Sequence, residues 1–369
     1  DLMLLKNRLS ITADFYQRTT RDMIGPAESI PSISGIASDD RAKVNNATLR
    51  NRGWELSVSW NDKLKCGFSY GIGFNVFNYK AVVTNYNNPE GIIYNNHTGL
   101  AANKGYYEGM DIGEIWGYRA DDLFLSNREI DDYLRNVNLT AFKSNDLWRR
   151  GDLKYIDSNG DGRVDGGKGT LADHGDLQII GNTTPKYSFG INLNLGYKGF
   201  EISTLLQGVA KRDFPISGSN YMFGGNNYNF KEHLDYFSTE NPNGYLPRLT
   251  GWKDDKDFLV NTGYNTTRYL LNAAYMRMKN LTVAYTFNKK QLKHIGISNL
   301  KVYVTCDNLF TVTKLPKQFD PETLNQVNMS AGGDAQNTAP GLTSPMKQNG
   351  NGMVYPMNRN FVFGLDFTF

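Results

Sequence analysis

Residues 188–197 read Ser-Phe-Gly-Ile-Asn-Leu-Asn-Leu-Gly-Tyr, and every second residue of this stretch is apolar. Strict alternation of this kind is typical of a β-strand that has one apolar face and one polar face. The same pattern recurs in residues 53–60, 67–76 and 361–369. The chain is therefore predicted to consist largely of amphipathic strands.

The polar faces of these strands indicate which class of β-protein to expect. They hold mostly Gly, Ser, Thr and Asn, whereas the solvent face of a soluble sheet is commonly more highly charged. A water-filled lumen lined with small polar groups fits this composition better, and the apolar faces would then contact lipid. The residues expected to face lipid include Trp54, Val58, Leu193, Val283, Phe363 and Phe367. A charge at Phe363 should cost about 2–4 kcal/mol at the bilayer midplane, whereas Gly364→Ser should be mild.

Ten strands are expected, and their connections alternate in length. The predicted strands lie near residues 6–18, 50–61, 65–80, 98–108, 113–124, 185–197, 199–210, 273–287, 299–312 and 358–369. Outer-membrane barrels have short turns on the periplasmic side and long loops on the extracellular side. The predicted fold class is therefore all-β, a transmembrane antiparallel β-barrel with long extracellular loops.

Composition excludes several other classes of function. The 369 residues include 40 Lys and Arg and 37 Asp and Glu, well mixed, with a mean hydropathy of −0.50. No run of like charge indicates a nucleic-acid partner, and no stretch approaches the ~18 apolar residues of a membrane-spanning helix. Cys66 and Cys306 lie in separate predicted strands, which argues against a disulfide framework. We find no catalytic constellation, so the chain is not expected to be an enzyme.

Residues 157–165, Asp-Ser-Asn-Gly-Asp-Gly-Arg-Val-Asp, resemble a calcium-binding loop. Oxygen ligands fall at positions 1, 3, 5, 7 and 9 of such a loop, with glycine at the sharp turn. The corresponding ligands here are Asp157, Asn159, Asp161, the carbonyl of Arg163, and Asp165. The residue at position 12 should be a bidentate Glu but is Lys168, and the next acids are Asp173 and Asp176, so the spacing alone leaves the closing ligand open. The alternative is an Asp- and Gly-rich turn that binds no metal.

Residues 125–184 are predicted to form a large extracellular loop that contains this motif. A helix is expected near Ser126–Phe142, with an apolar face that includes Ile130, Tyr133, Leu134 and Val137. A separate soluble domain within residues 81–184 is the alternative. A second long loop is crowded with aromatic residues, which suit sugar rings or a protein partner unless they simply pack together. These aromatic residues are Tyr221, Phe223, Tyr228, Phe230, Tyr236, Phe237, Tyr245 and Trp252.

Several segments resemble the SusC/RagA-type TonB-dependent transporters. Two of them are Glu108-Gly-Met-Asp-Ile-Gly-Glu-Ile-Trp-Gly-Tyr118 and Tyr275-Met-Arg-Met-Lys-Asn-Leu-Thr-Val-Ala-Tyr-Thr-Phe287. Others are Asn7-Arg-Leu-Ser with Asp14-Phe-Tyr, Gly151-Asp-Leu-Lys-Tyr-Ile-Asp with the calcium-like loop, Asp307-Asn-Leu-Phe-Thr, and the terminal Phe361–Phe369. Their order and approximate spacing hold over nearly the whole chain.

This resemblance implies a bacterial outer-membrane protein with a 22-stranded barrel, of which residues 1–369 would supply about the last ten strands. The N-terminal plug and the TonB-interacting segment are expected to lie outside this chain. A SusD-like surface lipoprotein would capture oligosaccharide or peptide for import. Phe369 resembles the terminal aromatic residue that marks such barrels for assembly, and the family pattern supports Asp176 as the last calcium ligand. The alternatives are a passive porin, an outer-membrane adhesin, or a soluble β-rich glycan-binding protein.

Overall fold

The computed structural model describes residues 1–25, 44–93, 106–120, 122–216, 231–249, 257, 259–292, 297–324 and 356–368. Its strands are β1 (Leu2–Leu4), β2 (Leu9–Gly25), β3 (Val44–Lys63), β4 (Ser69–Asn85), β5 (Glu114–Gly117), β6 (Asp122–Leu123), β7 (Leu153–Lys154), β8 (Gln178–Asn182), β9 (Lys186–Tyr197), β10 (Phe200–Lys211), β11 (Asp213–Pro215), β12 (Tyr236–Phe237), β13 (Leu246–Arg248), β14 (Leu270–Asn272), β15 (Tyr275–Phe287), β16 (Asn299–Asp307), β17 (Thr311–Thr313) and β18 (Asn360–Thr368). Its α-helices are α1 (Asn127–Leu134) and α2 (Lys289–Leu292). No helix among the described residues is long and apolar enough to cross a membrane.

One antiparallel sheet dominates the fold. Its order is β1-β2-β3-β4-β9-β10-β15-β16-β18, and β17 also pairs with β15. Eight of these strands are long, from nine residues in β16 and β18 to 20 residues in β3. About 9–11 residues of a tilted strand are enough to cross a bilayer. Within the described residues β1 and β18 are the two edges of the sheet, and no pairing joins them.

Two of the ten predicted strands are not strands of this sheet. Residues 113–124 form β5 and β6, which pair with β8 and β7 in small two-stranded sheets. Of the other predicted strand, 98–108, residues 98–105 lie outside the described part of the chain, and 106–108 are not in a strand. Ile115, Trp116 and Tyr118 are all buried, so β5 lacks the alternation between exposed and buried faces that a wall strand needs.

The two faces of the sheet differ as the alternation predicts. Neighbouring strands align one row of apolar residues, namely Leu195, Ile202, Val283, Val304 and Phe363. The adjacent row on the opposite face contains Asn194, Ser203, Thr282, Thr305 and Val362. The apolar face is strongly exposed, with Phe363 78% and Phe367 55% accessible. Trp54, Val58 and Leu193 lie on the same face, opposite Phe15, Phe74 and Ile72 respectively.

The connections sort onto two ends of the sheet. The four short connections are 5–8, 64–68, 198–199 and 288–298, whereas the long connections all leave the opposite end. Lys198 and Gly199 both have positive φ (46° and 91°), the geometry of a two-residue hairpin that matches strand twist. A Cβ at Gly199 would lie 2.6 Å from the carbonyl oxygen of Thr286, so glycine is required there.

The hydrophobic core lies in the long connections rather than in the sheet. We call the residues that form it the loop assembly: 86–93, 106–120, 122–184, 212–216, 231–249, 257, 259–274 and 314–324. The rings of Phe142 and Tyr155 stack with centroids 4.3 Å apart, and Tyr118 and Tyr264 meet them edge-on. Helix α1 begins as predicted, because Ser126 caps it by accepting a hydrogen bond from the Glu129 amide, but it ends at Leu134 rather than Phe142.

Phe363→Arg is expected to impair folding of the full-length protein in lipid vesicles, by about 2–4 kcal/mol if the site lies near the bilayer midplane. Val362→Arg is the matched control, because this neighbour in β18 lies on the polar face. Folded yield can be read from heat-modifiable gel mobility. Equal yields for the two variants would contradict the assignment of the apolar face to lipid.

Gly364→Ser would need one neighbouring side chain to move. The Tyr303 ring covers Gly364, and a Cβ there would lie 2.1 Å from Cζ of Tyr303. The ring would have to move, which the sequence did not indicate.

Candidate functional site

The calcium-like motif folds as a tight turn whose side chains bond to its own backbone. The Asp157 carboxylate accepts hydrogen bonds from the amides of Gly160 (2.6 Å) and Gly162 (2.8 Å). Gly162 has a φ of 84°, which confirms the sharp turn that the sequence placed there. Two further amide hydrogen bonds, to Asn159 Oδ1 and Asp161 Oδ1, are each 2.9 Å long.

The carboxylate of Asp176, the predicted closing ligand, accepts hydrogen bonds from the backbone of this turn. One of its carboxylate oxygens accepts from the Ser158 amide (2.7 Å) and the other from the Asp165 amide (2.9 Å). The intervening segment folds back on itself, because the Asp176 amide in turn donates to the Asp165 carbonyl (2.8 Å). Asp176 is only 2% exposed. Burial raises the pKa of its carboxyl, and the nearby Asp157 charge adds to this, despite the opposing amide hydrogen bonds.

The donor types of this turn fit calcium, since hard carboxylate, amide and carbonyl oxygens are its preferred ligands. Their arrangement fits less well. The Arg163 guanidinium lies 2.8 Å from the Asp165 carboxylate, so a cation already neutralises one predicted ligand. Among the described residues no group of three His, Cys, Asp or Glu side chains is placed to hold a metal ion. The structure thus brings the predicted residues into one turn without directing their oxygens to one point.

A buried ionic cluster lies within the loop assembly, and no local sequence pattern indicates it. Lys143 and Asp152 are both fully buried, with Lys143 Nζ 2.6 Å from Asp152 Oδ2. The other Asp152 oxygen accepts from Arg248 Nε (2.6 Å) and Asn261 Nδ2 (2.9 Å). Asp257 completes the cluster by pairing with both Lys143 and Arg248.

The charges of this cluster compensate one another. Burial alone would raise the pKa of the Asp257 carboxyl, but hydrogen bonds and charges from Lys143 and Arg248 outweigh it and lower that pKa. Asp257 therefore stabilises the fold at neutral pH, and its contribution is lost only as the pH falls through this lowered value, below about 4. The four charged residues come from two long connections, Lys143 and Asp152 from one and Arg248 and Asp257 from the other, so no local spacing could have identified the cluster.

A second ionic cluster joins the loop assembly to the sheet. Arg277 of β15 is 3% exposed, and its guanidinium lies 2.7 Å from Asp320 and 3.0 Å from Glu322. Lys279 also pairs with Glu322, at 2.8 Å. Nearby, Arg212 donates to the backbone carbonyls of Thr183, Pro321 and Leu324. Three cationic side chains, those of Arg212, Arg277 and Lys279, therefore fix segment 315–324 to the end of the sheet from which the long connections leave.

The aromatic residues of the second long loop, which suit a sugar ring or a protein partner unless they simply pack together, are only partly described. Phe237 is buried in the core of the loop assembly. Tyr245 is 36% exposed but donates from its hydroxyl to the Arg268 carbonyl and packs edge-on against Tyr269. For these residues packing within the loops accounts for their positions. The residues Tyr221, Phe223, Tyr228, Phe230, Trp252 and Phe369 lie outside the described part of the chain.

Comparison with known proteins gives consistent relatives. The chain is 26% identical over 372 residues to TonB-dependent receptor P3 of Formosa agariphila, and 25% identical over 410 residues to receptor P39 of the same organism. Both alignments cover the whole chain but only 33% and 35% of the relatives, so the chain spans about a third of their length. No family model matches the chain.

Solved structures show the same fold. The RagAB peptide transporter matches with a TM-score of 0.62 at 21% identity, covering 98% of this chain and 34% of that one. The RagAB peptide importer in its open-open state matches with a TM-score of 0.61 at 20% identity, covering 98% and 33%.

These comparisons confirm the resemblance drawn from the sequence. The chain is similar along its whole length to TonB-dependent receptors, and it corresponds to a C-terminal portion of such a protein. The predicted outer-membrane location is confirmed as well. The relatives are receptors and transporters, so the chain is not an enzyme.

Asp152→Asn is expected to loosen the loop assembly, because it leaves Lys143 and Arg248 buried with one carboxylate between them. Breaking a buried ion pair by removing one partner costs about 3–5 kcal/mol. The control is Asp132→Asn on α1, whose carboxylate pairs with Arg135 at the surface and should matter by at most about 1 kcal/mol. Hydrogen exchange of residues 122–184 in the full-length protein measures both effects. Equal protection in the two variants would show that the cluster is not needed.

Proposed function

We propose that this chain, similar throughout to TonB-dependent receptors, forms the C-terminal part of the barrel of an importer for large polar nutrients. The observation that carries the proposal is an amphipathic sheet with an exposed apolar face, combined with whole-length similarity to these receptors. TonB would supply the energy through a part of the protein outside this chain. A polar inner face of Gly, Ser, Thr and Asn suits a hydrophilic cargo.

The edges of the sheet support a larger barrel. Strands β1 and β18 each leave one side unpaired among the described residues. Unpaired backbone groups in lipid cost several kcal/mol each, so an open sheet is not a viable spanning structure. We infer that strands elsewhere in the whole protein complete the barrel, to the 22 strands that the resemblance implies. The plug that would fill such a barrel also belongs to the part outside this chain.

The expected partner is a SusD-like surface lipoprotein that binds above the loop assembly. The cargo class is oligosaccharide or peptide. Peptide is supported by the similarity to RagAB, which is a peptide transporter. The loop assembly has its own aromatic core, and a surface that is already folded before binding loses less conformational freedom when a partner binds.

Uptake by cells tests this proposal directly. Deleting the gene for the full-length protein should abolish growth on the peptide or oligosaccharide mixture that it imports, and complementation should restore growth. Removing TonB function should abolish uptake equally, because the transport is active. Uptake that continues without TonB would instead indicate a passive porin. Normal growth of the deletion strain on every oligosaccharide and peptide source tested would contradict nutrient import.

We also propose that Asp157, Asn159, Asp161, the Arg163 carbonyl, Asp165 and Asp176 bind one calcium ion that orders residues 151–181. The supporting observation is that Asp176 is buried beside Asp157 with a raised carboxyl pKa, so a cation nearby would relieve an unfavourable charge. Affinity in the range of about 10⁻⁴ to 10⁻³ M would suffice outside the cell. Binding would require some of these oxygens to exchange amide hydrogen bonds for the ion.

Asp161→Ala should make residues 151–181 more sensitive to protease in calcium, and chelation should do the same to the wild type. Asp146→Ala is the control, since this exposed carboxylate of the same loop is not a predicted ligand. The barrel should remain folded in all cases. If chelation leaves the wild-type loop fully protected, hydrogen bonds alone hold the turn and calcium has no structural role there.

A further inference from the structure

The charges of the connections are distributed very unevenly between the two ends of the sheet. The four short connections contain seven Lys and Arg residues and no Asp or Glu. The long connections contain 22 basic and 29 acidic residues. Because the whole chain has nearly equal numbers of both, the short-turn end is a distinct basic surface rather than a reflection of composition.

Three lysines of the short connections have described, exposed side chains: Lys6, Lys65 and Lys198. Within the described residues none of them pairs with a carboxylate, whereas Arg8 pairs with Asp62 at 2.9 Å. Lys6 and Lys198 have positive φ (59° and 46°), where Asn or Gly would be less strained.

A continuous band of aromatic residues lies on the apolar face beside the turns that contain Lys65 and Lys198. Phe68 contacts Tyr70 and Tyr197, with ring centroids 6.0 and 6.4 Å apart. Tyr197 is paired with Phe200 across the hairpin, and Phe200 contacts Tyr285 at 4.6 Å. Lys198 Nζ lies 5.1 Å from the Tyr197 ring centroid. We call Lys6, Lys65 and Lys198 together with these aromatic residues the basic rim.

The aromatic band fixes the depth of the lysines relative to a bilayer. Aromatic girdles of membrane barrels lie at the level of the lipid headgroups, where the rings are half in hydrocarbon. Lys198 directly follows Tyr197, Lys65 precedes Phe68 by three residues, and Lys6 lies in a short turn at the same end of the sheet. We therefore expect these lysines near the phosphate groups, where the Debye length is about 8 Å at physiological salt. Unpaired ammonium groups at this depth complement headgroups that carry a net negative charge.

We propose that the basic rim binds the headgroups of acidic phospholipids in the adjacent leaflet of the outer membrane. Each lysine contributes electrostatic attraction to the anionic surface, and the aromatic residues hold the turns at headgroup level. The long-loop end carries an excess of acidic residues, so attraction to acidic lipids is expected only at the short-turn end of the barrel. The proposal depends on the membrane location and on the orientation of the sheet, not on what is transported.

Binding of fluorescent phosphatidylglycerol to the full-length protein in neutral detergent tests this proposal. The triple variant Lys6→Gln, Lys65→Gln, Lys198→Gln removes three rim charges. The matched control is Lys231→Gln, Lys314→Gln, Lys317→Gln, three exposed lysines of the long-loop end. Each lysine near an anionic surface is worth about fivefold in affinity, so the rim variant should bind on the order of 100-fold more weakly if the effects add. The control should stay within about twofold of wild type.

Three results would overturn the proposal. The rim variant and the wild type could bind phosphatidylglycerol equally well, or the wild type could bind phosphatidylcholine as well as phosphatidylglycerol. Free glycerol phosphate could also displace the lipid, which would indicate a site for soluble phosphate compounds. Loss of binding to an acidic peptide with lipid binding intact would assign the rim to a protein partner. If the rim variant fails to fold, binding of phosphatidylglycerol to the wild type is compared at 0.05 and 0.5 M salt. An electrostatic site binds the lipid more weakly at the higher salt concentration, and unchanged binding would contradict the proposal. The uptake assays that test nutrient import do not depend on lipid binding by the basic rim. The proposal of nutrient import and the proposal of lipid binding can therefore fail separately.

Discussion

Backbone hydrogen bonding in lipid is the constraint on which this architecture depends. A strand that crosses hydrocarbon must have both of its edges paired, because no water is available to its amides and carbonyls. Each internal long strand of the sheet meets this condition through two antiparallel neighbours. This constraint acts on the backbone, so the side chains on the two faces of the sheet can differ in polarity. The row of paired residues from Leu195 to Phe363 is apolar throughout. The inner face can then hold small polar residues such as Asn194 and Ser203 without any loss of backbone stability.

The same constraint explains why the hydrophobic core lies outside the sheet. Apolar residues of the wall are needed on the lipid side, so they cannot also form a core inside the barrel. The long connections have to bury their own backbone groups, and they do so around rings such as Tyr118, Phe142 and Tyr155. Within that core the Lys143 and Asp152 charges are tolerated because each is compensated by partners from other segments. The loops thus behave as a folded domain that is inserted piecewise between strands.

This division also separates what the sequence predicts from what it does not. Strands with one apolar and one polar face alternate with a period of two, so the eight long strands and the exposed apolar face that includes Phe363 could be predicted. Residues 113–124 were wrongly predicted to be a strand of the main sheet, because a segment buried on both faces in the loop assembly is also short and rich in aromatic residues. The turn from Asp157 to Asp165 was identified from local spacing, whereas Asp176 came from the family resemblance. The Lys143 and Arg277 clusters were not, since each gathers residues distant in sequence.

The junction between wall and loops has a mechanical consequence. Arg277 and Lys279 lie in β15, and their partners Asp320 and Glu322 lie in a segment whose Phe319 packs against Phe214 in the loop core. Separating this segment from the sheet would leave Arg277 uncompensated in a buried place, at a cost of about 3–5 kcal/mol. That is comparable to the whole stability of a small domain. The long connections are therefore expected to move relative to the sheet where such charge pairs are absent. Segment 315–324, which is anchored at β15, is expected to move with the sheet.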